Sequence, residues 1–267
     1  MKTISSRDNP TLKSLRVLQS DVRKQRASGQ ALLEGPHLLT AALDHGVTPD
    51  LIAVSESAAG NPEVAALLAR AGKVETLCLR DALFREFSEL ATPVGILARI
   101  AIPAVPPAPT FMPVGDCLLL DAVQDAGNVG TLLRTAAAAG VRDVLLGLGC
   151  AGAWTPRVLR AAQGAHFVLA IHEQVDLANF LQSYPDNSVA TVAREGASLY
   201  ALDLRRPTAW LVGNEGAGLA PELVSAAKAR TTIPLAPGSE SLNVAAAAAI
   251  CLFEMRRQRI SDKVGAG

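Results

Sequence analysis

The stretch Ile233-Pro-Leu-Ala-Pro-Gly-Ser-Glu-Ser-Leu-Asn-Val244 places Ser239, Glu240, Ser241 and Asn243 directly before an alanine run that opens an apolar helix. Polar side chains at such a junction can cap the first backbone N–H groups, which have no partner inside the helix. One capping residue is enough for that. The surplus fits a ligand site, although a well-capped ordinary loop reads the same way. Two further stretches have a similar character. Asp121-Ala-Val-Gln-Asp-Ala-Gly-Asn-Val-Gly-Thr-Leu-Leu-Arg-Thr-Ala136 carries Asn128 and Arg134 around the start of a helix predicted over Val129–Ala139. Leu211-Val-Gly-Asn-Glu-Gly-Ala-Gly-Leu219 sets Glu215 among glycines that permit positive φ and close approach of a ligand. An amide, a guanidinium, a carboxylate and a hydroxyl can together orient a substrate, hold a phosphate and handle a proton. Each stretch also has a plain reading: a capped turn at Asp125–Asn128, a solvated helix arginine at Arg134, and a glycine turn at Gly213–Gly218.

Such residues need strand ends to stand on. Apolar runs at Cys117–Leu120, Val144–Leu146, Phe167–Ile171, Val189–Ala193, Ala209–Val212 and Thr232–Leu235 alternate with helical patterns. They predict a mostly parallel sheet covered on both faces, with the three polar stretches at strand ends. A second, smaller α/β region precedes it over residues 31–100, with strands at Leu51–Val54, Val74–Leu79 and Val94–Ile100 and helices near 62–71 and 80–89. Between the two, residues 101–115 are proline-rich, which forbids a helix or a central strand and reads as a stiff linker. The larger region spans 116–267.

With 267 residues, 49% apolar, the chain has ample material for such a core. Cys78, Cys117, Cys150 and Cys251 lack Cys-x-x-Cys spacing and the histidines form no His-x-x-x-His pair, so neither disulfides nor a metal site is expected. No run reaches membrane-spanning length and the first residues lack a signal core, so a cytoplasmic protein is expected. Net charge is zero, but residues 1–30 form a basic arm: Lys2, Arg7, Lys13, Arg16, Arg23, Lys24 and Arg26 face only Asp8 and Asp21. Such an arm, through Arg7 and Lys13, suits nucleic-acid phosphates. It also suits a solvated amphipathic helix, since Leu12, Leu15 and Leu18 keep helical spacing. Arg157 and Arg160 share one helical face and fit either RNA phosphates or surface carboxylates.

Gly147-Leu-Gly-Cys-Ala-Gly152 after the strand ending at Leu146, with Glu173 further on, formally matches a dinucleotide fingerprint. That leaves a nicotinamide-binding enzyme as an alternative. Thr155-Pro156, however, read as N-cap and N1 of the next helix, too late for a pyrophosphate held at the glycines.

Taken in order, the three polar stretches closely resemble the signature motifs of the SpoU/TrmH family of RNA ribose 2′-O-methyltransferases, in the SPOUT superfamily. The resemblance is strong over about residues 116–258. It implies a knotted C-terminal SPOUT domain preceded by a small RNA-binding α/β domain that begins at Glu34-Gly-Pro-His37. It also implies S-adenosylmethionine as cofactor, RNA as substrate with ribosomal RNA preferred over tRNA, and a homodimer through the C-terminal domain.

By the same resemblance, Asn128, Arg134, Glu215, Ser241 and Asn243 match active-site positions. Gly213, Glu215, Gly218, Ile233, Leu235, Ser241, Leu242 and Asn243 match the cofactor pocket. The family assigns its arginine as the base, which is awkward for a guanidinium with pKa above about 12; clamping a phosphate is physically easier for Arg134. Three departures stand out: Ala126 in place of the common proline, Ala245 where serine is frequent, and no serine in Arg160–Ala165. A non-catalytic RNA-binding paralogue is a further alternative, opposed by the intact polar set.

Overall fold

The computed structural model describes residues 2–88, 90, 92–105 and 115–265, so most of the proline-rich linker, residues 106–114, lies outside the described set. The chain forms two compact units. One comprises Met1–Ala104 and Trp154–Phe167; the other comprises Val105–Ala153 and Val168–Gly267.

In the first unit the supposed arm is part of the fold. It runs through β1 (Lys2–Ile4), α1 (Pro10–Ser20) and α2 (Val22–Ser28). Asn9 caps α1 by accepting from the Thr11 and Leu12 N–H groups, and Pro10 fits the first turn because its missing donor is not needed there. The leucines three apart, Leu12, Leu15 and Leu18, are buried against Phe84 and Phe87. The unit continues through β2 (Gln30–Glu34), α3 (Pro36–Asp44), β3 (Leu51–Ser55), α4 (Pro62–Ala71), β4 (Glu75–Leu79), α5 (Asp81–Phe84) and β5 (Ile96–Ala101). Its sheet has the order β1-β4-β3-β5-β2, parallel across the first three strands and antiparallel across the rest. The strand expected from Val94 starts two residues later because Gly95 has φ +88, outside extended backbone. The helix expected over 80–89 is shorter and ends in a 3-10 turn at Arg85–Phe87. The helix Pro156–Ala162, read from sequence as part of the C-terminal region, packs in this first unit beside β2.

The second unit holds β6 (Cys117–Leu120), α6 (Ala126–Ala139) and β7 (Asp143–Gly147); the helix Pro156–Ala162 of the first unit is α7 in chain order. Then follow β8 (Ala170–Val175), α8 (Leu177–Ser183), β9 (Asn187–Thr191), β10 (Ala197–Ser198), β11 (Thr208–Val212), α9 (Pro221–Ala226), β12 (Ala229–Thr232) and α10 (Val244–Gly265). The seven strands lie in the order β10-β12-β9-β11-β6-β7-β8. All neighbours are parallel. Fully buried strands such as β6 and β11 explain the continuous apolar runs in the sequence.

Three predicted strands shift, the mildest being β9, which covers Asn187–Thr191 where Val189–Ala193 was expected. Phe167 belongs to a 3-10 turn that follows Gln163 and Gly164, both at positive φ, so β8 begins only at Ala170. Ile233–Leu235 is not strand, because β12 stops at Thr232, just before Pro234, which has no N–H for a sheet.

Alanines and small residues let α10 lie close on α6, with Ala245, Ala248, Cys251 and Leu252 buried. The far half of α10 is tied down by Arg259. Its Nη2 donates to Asp116 Oδ1 at 2.9 Å and to the Arg206 carbonyl at 2.6 Å, and its Nε donates to the Leu204 carbonyl at 2.9 Å. Asp116 Oδ1 also accepts from the Thr208 N–H at 2.8 Å, so one pair secures α10 to the starts of β6 and β11. Arg259→Ala strands a half-buried carboxylate and is expected to lower unfolding stability by about 2 kcal/mol, measured by urea titration.

Candidate active site

The parallel sheet brings the C-terminal ends of β12, β9, β11 and β6 side by side, and the loops leaving three of them carry the polar stretches. Ligands in open α/β sheets collect at such ends. Asp125 begins the first loop's helix by accepting from the Asn128 N–H at 2.8 Å, which places Asn128 in the first turn of α6. The glycine loop is closed by reciprocal bonds between Asn214 and Gly218, at 3.0 and 2.9 Å. Gly213 is dictated sterically: a Cβ there would lie 2.3 Å from Gly218 C and Leu219 N.

Asn214, which the sequence reading did not single out, organises this loop. Its Oδ1 accepts from the Gly216 and Ala217 N–H groups, each at 2.9 Å, and its Nδ2 donates to the Ala122 carbonyl at 2.8 Å. Ala122 has φ +51, a conformation uncommon for alanine, and this bond holds its carbonyl. Asp121 Oδ2 accepts from the Ala220 N–H at 2.8 Å, so the first and second loops are fastened at two points.

Side-chain amides join all three loops. Asn128 Nδ2 donates to Glu215 Oε1 at 2.9 Å, and Asn243 Nδ2 donates to Asn128 Oδ1 at 2.9 Å. Asn243 Oδ1 in turn accepts from the Ala245 and Ala246 N–H groups, at 2.9 and 3.2 Å, capping α10. An ionised carboxylate accepts only, so Glu215 fixes which end of Asn128 faces it, and Asn128 then fixes Asn243.

A cavity of about 420 Å³ opens beside this chain, within the range of small-ligand pockets. Its walls are Thr191–Ala193 after β9, Gly213–Gly218, Thr231, Ile233 and Leu235, and Glu240–Val244 with Ala247. All eight residues matched to a cofactor pocket (Gly213, Glu215, Gly218, Ile233, Leu235, Ser241, Leu242 and Asn243) line it. Glu215 and Glu240 are its charged side chains, and no lysine or arginine is among the described lining residues. Thr191–Ala193 carried no motif, and only their place at a strand end offered a signal.

Other expected residues stand elsewhere. Ser239 is not on the cavity wall. Arg134 is exposed on α6 and its side chain makes no hydrogen bond or ion pair with any described residue. Six positions along a helix do not share a face, so Asn128 can point into the site while Arg134 does not. Glu215 therefore orients Asn128. Arg160 faces Glu34 of the first unit at 3.9 Å, Arg7 pairs with Glu86 at 2.6 Å and Lys13 with Asp8 at 3.0 Å; Arg157 is exposed. The dinucleotide alternative loses its geometry. α7 starts at Pro156, beyond the glycines, and Glu173 Oε1 accepts from the Ala153 N–H at 3.0 Å, fixing the loop's return. Among the described residues no cluster is suited to a metal ion, and no helix is long and apolar enough to cross a membrane.

Burial raises the Glu215 pKa, but hydrogen bonds from the Asn128 amide and from the Glu215, Asp125 and Gln124 N–H groups outweigh it. The net result lies below the ordinary 4.5. A depressed folded-state pKa stabilises the fold above the unfolded value, and this stabilisation is lost as pH falls through the folded value. Glu215→Gln is therefore expected to be less stable than wild type at neutral pH. The gap should shrink as urea titrations are repeated down to about pH 3.

The sequence model of the SpoU rRNA Methylase family matches residues 117–253, and that of an MRM3-like substrate binding domain matches residues 9–98. An uncharacterised tRNA/rRNA methyltransferase of Synechocystis is 34% identical over 96% of this chain and 94% of its own length. The 23S rRNA (guanosine(2553)-2′-O)-methyltransferase RlmP of Bacillus subtilis is 32% identical over 96% of this chain and 100% of its own. The AdoMet-bound crystal structure of an rRNA methyltransferase from Sinorhizobium meliloti superposes with a TM-score of 0.84 at 28% identity, covering 96% of this chain and 97% of that one. With the motifs in place at adjoining strand ends, the chain belongs to the SpoU rRNA methylase family of RNA methyltransferases that use S-adenosylmethionine.

Proposed function

We propose that the cavity at the ends of β9, β11 and β12 holds S-adenosylmethionine and that the methyl group goes to a ribose 2′-hydroxyl of ribosomal RNA in the cytoplasm. One observation carries this reading: the cavity has two carboxylates and no basic side chain among its described lining residues. That charge suits a cofactor bearing a sulfonium and an ammonium, and it repels the pyrophosphate of a dinucleotide. The bound cofactor supplies an electrophilic methyl group.

The chain's own residues do the rest. Gly213 and Gly218 let the backbone approach closely, and Ile233, Leu235 and Leu242 present main chain and apolar surface to adenine and the methionyl group. Glu215 sets the potential beside the positive centre and, through Asn128, the position of Asn243. Ser241, exposed on the cavity wall, offers a hydroxyl toward the reacting ribose. Arg134 is available to clamp the phosphate next to the target or to accept the 2′-hydroxyl proton; the clamp needs no deprotonated guanidinium. Arg7, Lys13 and Arg157 are exposed cations for the RNA backbone, whereas Arg160 is turned toward Glu34. The active species is a homodimer through the C-terminal unit, a reading supported by the exposed Phe253 and Ile260, two turns apart on α10.

Single-turnover transfer of labelled methyl from S-adenosylmethionine to ribosomal RNA, mapped to the ribose, tests this directly. Arg134→Lys keeps the charge but loses the planar fork. Both Arg134→Lys and Arg134→Ala are expected to lose nearly all transfer while cofactor affinity, measured by calorimetry, stays close to wild type. Near-normal transfer in either removes Arg134 from the reaction. For the assembly, light scattering at micromolar concentration is expected to return twice the 27.8 kDa chain mass; a monomer mass refutes the dimer.

A further inference from the structure

The first unit contains a hollow that neither its fold nor the cavity described above uses. β2 ends at Glu34, and Gly35, with φ +91, turns the chain into α3. Gly95, with φ +88, turns the neighbouring segment into β5, and the Gly35 N–H donates to the Ile96 carbonyl at 2.9 Å. Between these bent segments lies a space of about 370 Å³. The Glu34 carboxylate lines it with its side chain only 10% exposed, accepting from Ser88 Oγ, with Arg160 Nη1 3.9 Å from its second oxygen. Leu90 and Val94, each 40% exposed, and Pro93 form an apolar lip. On another part of the wall are His37 and Gln163, joined at 3.4 Å between Nε2 and the carbonyl.

Ser88 and Arg160 fix the nearly buried Glu34 carboxylate in place, and apolar side chains stay exposed beside it. Together they fit a flat ring that has N–H donors on one edge. Among the RNA bases, guanine presents two adjacent donors, N1–H and N2–H, which one carboxylate accepts together. Adenine and cytosine set an acceptor beside their amino group, and uracil flanks its single N–H with two carbonyls. Proteins read single-stranded RNA by receiving unstacked bases in pockets of this sort. We propose that this hollow binds an unstacked guanine of the RNA substrate, with the base edge on Glu34 and the ring against Leu90, Pro93 and Val94. The proposal rests on the RNA methyltransferase reading for its ligand class, and it adds a recognition subsite in the first unit.

The test uses the full chain and labelled pentaribonucleotides UUGUU, UUUUU and UUIUU, in which inosine lacks the 2-amino group, measured by fluorescence anisotropy at low salt. Wild type is expected to bind UUGUU about tenfold tighter than UUUUU, with UUIUU losing most of that preference. Glu34→Gln keeps the shape but removes the paired acceptor, and should bring the oligomers within about twofold of one another. S-adenosylmethionine binding by calorimetry should be unchanged. Should that variant fail to fold, Leu90→Ala, at an exposed position, is expected to weaken UUGUU about threefold and leave UUUUU unaffected. Equal affinity of wild type for the three oligomers overturns the proposal, as does a guanine preference that survives Glu34→Gln or is untouched by Leu90→Ala. Methyl transfer by the wild type, run in parallel, judges the proposed function separately, since a missing guanine preference beside intact transfer rejects the hollow alone.

Discussion

The primary amide of Asn128 is held between Glu215 and Asn243, and these two hydrogen bonds set the geometry of everything around them. The three residues come from loops that follow β6, β11 and β12, separated by 87 and 115 residues from Asn128 in sequence. None can turn independently. The carboxylate demands a donor, so Asn128 shows its oxygen to Asn243, which shows its own oxygen to the first turn of α10. The parallel sheet makes this possible, because every strand delivers its outgoing loop to the same edge. An antiparallel sheet would scatter those loops over two edges.

Around that chain, the walls are set by close backbone contact. Gly213 must be glycine because the Gly218–Leu219 peptide crosses it, and Asn214 then spends both ends of its amide, one on its own loop and one on Ala122. The cost is a positive φ at Ala122, of order 1 kcal/mol. Strain of this kind persists where neighbouring bonds over-determine it, and here two side chains, Asn214 and Asp121, tie the same pair of loops. The result is a cavity whose lining includes Gly213–Gly218 and Glu240–Val244.

Much of this was legible in sequence, for reasons that can be named. β6 and β11 are buried on both faces and therefore print as unbroken apolar runs, so their positions were read to within a residue. Eight of the cavity-lining residues were matched through motif resemblance, whereas Thr191–Ala193 were not; side-chain chemistry alone gives no reason to pick Ile233 or Leu235. What failed to show was non-local. The role of residues 2–28 depends on Leu12, Leu15 and Leu18 meeting Phe84 and Phe87, so the local charge asymmetry suggested an arm where the chain has a core helix. The packing of α7 in the first unit likewise depends on β2, far away in sequence. Asn214 looked like an ordinary turn residue, because the carbonyl it holds lies 92 residues earlier.

The separation of charges explains why the site is divided as it is. A methyl donor that carries positive charge and an RNA that carries negative charge need opposite surroundings, and a single pocket cannot serve both. In this chain the carboxylates Glu215 and Glu240 line the cavity, whereas Arg134 stands outside it on the exposed side of α6. An arginine inside would compensate Glu215 and weaken the attraction for a sulfonium. Outside, it is not neutralised by the cavity's own acids, which leaves its charge for the proposed phosphate clamp. The helix that carries Asn128 at its first turn therefore also carries Arg134 on another face, so one rigid element sets the distance between the anionic cavity and the cation proposed to meet the RNA.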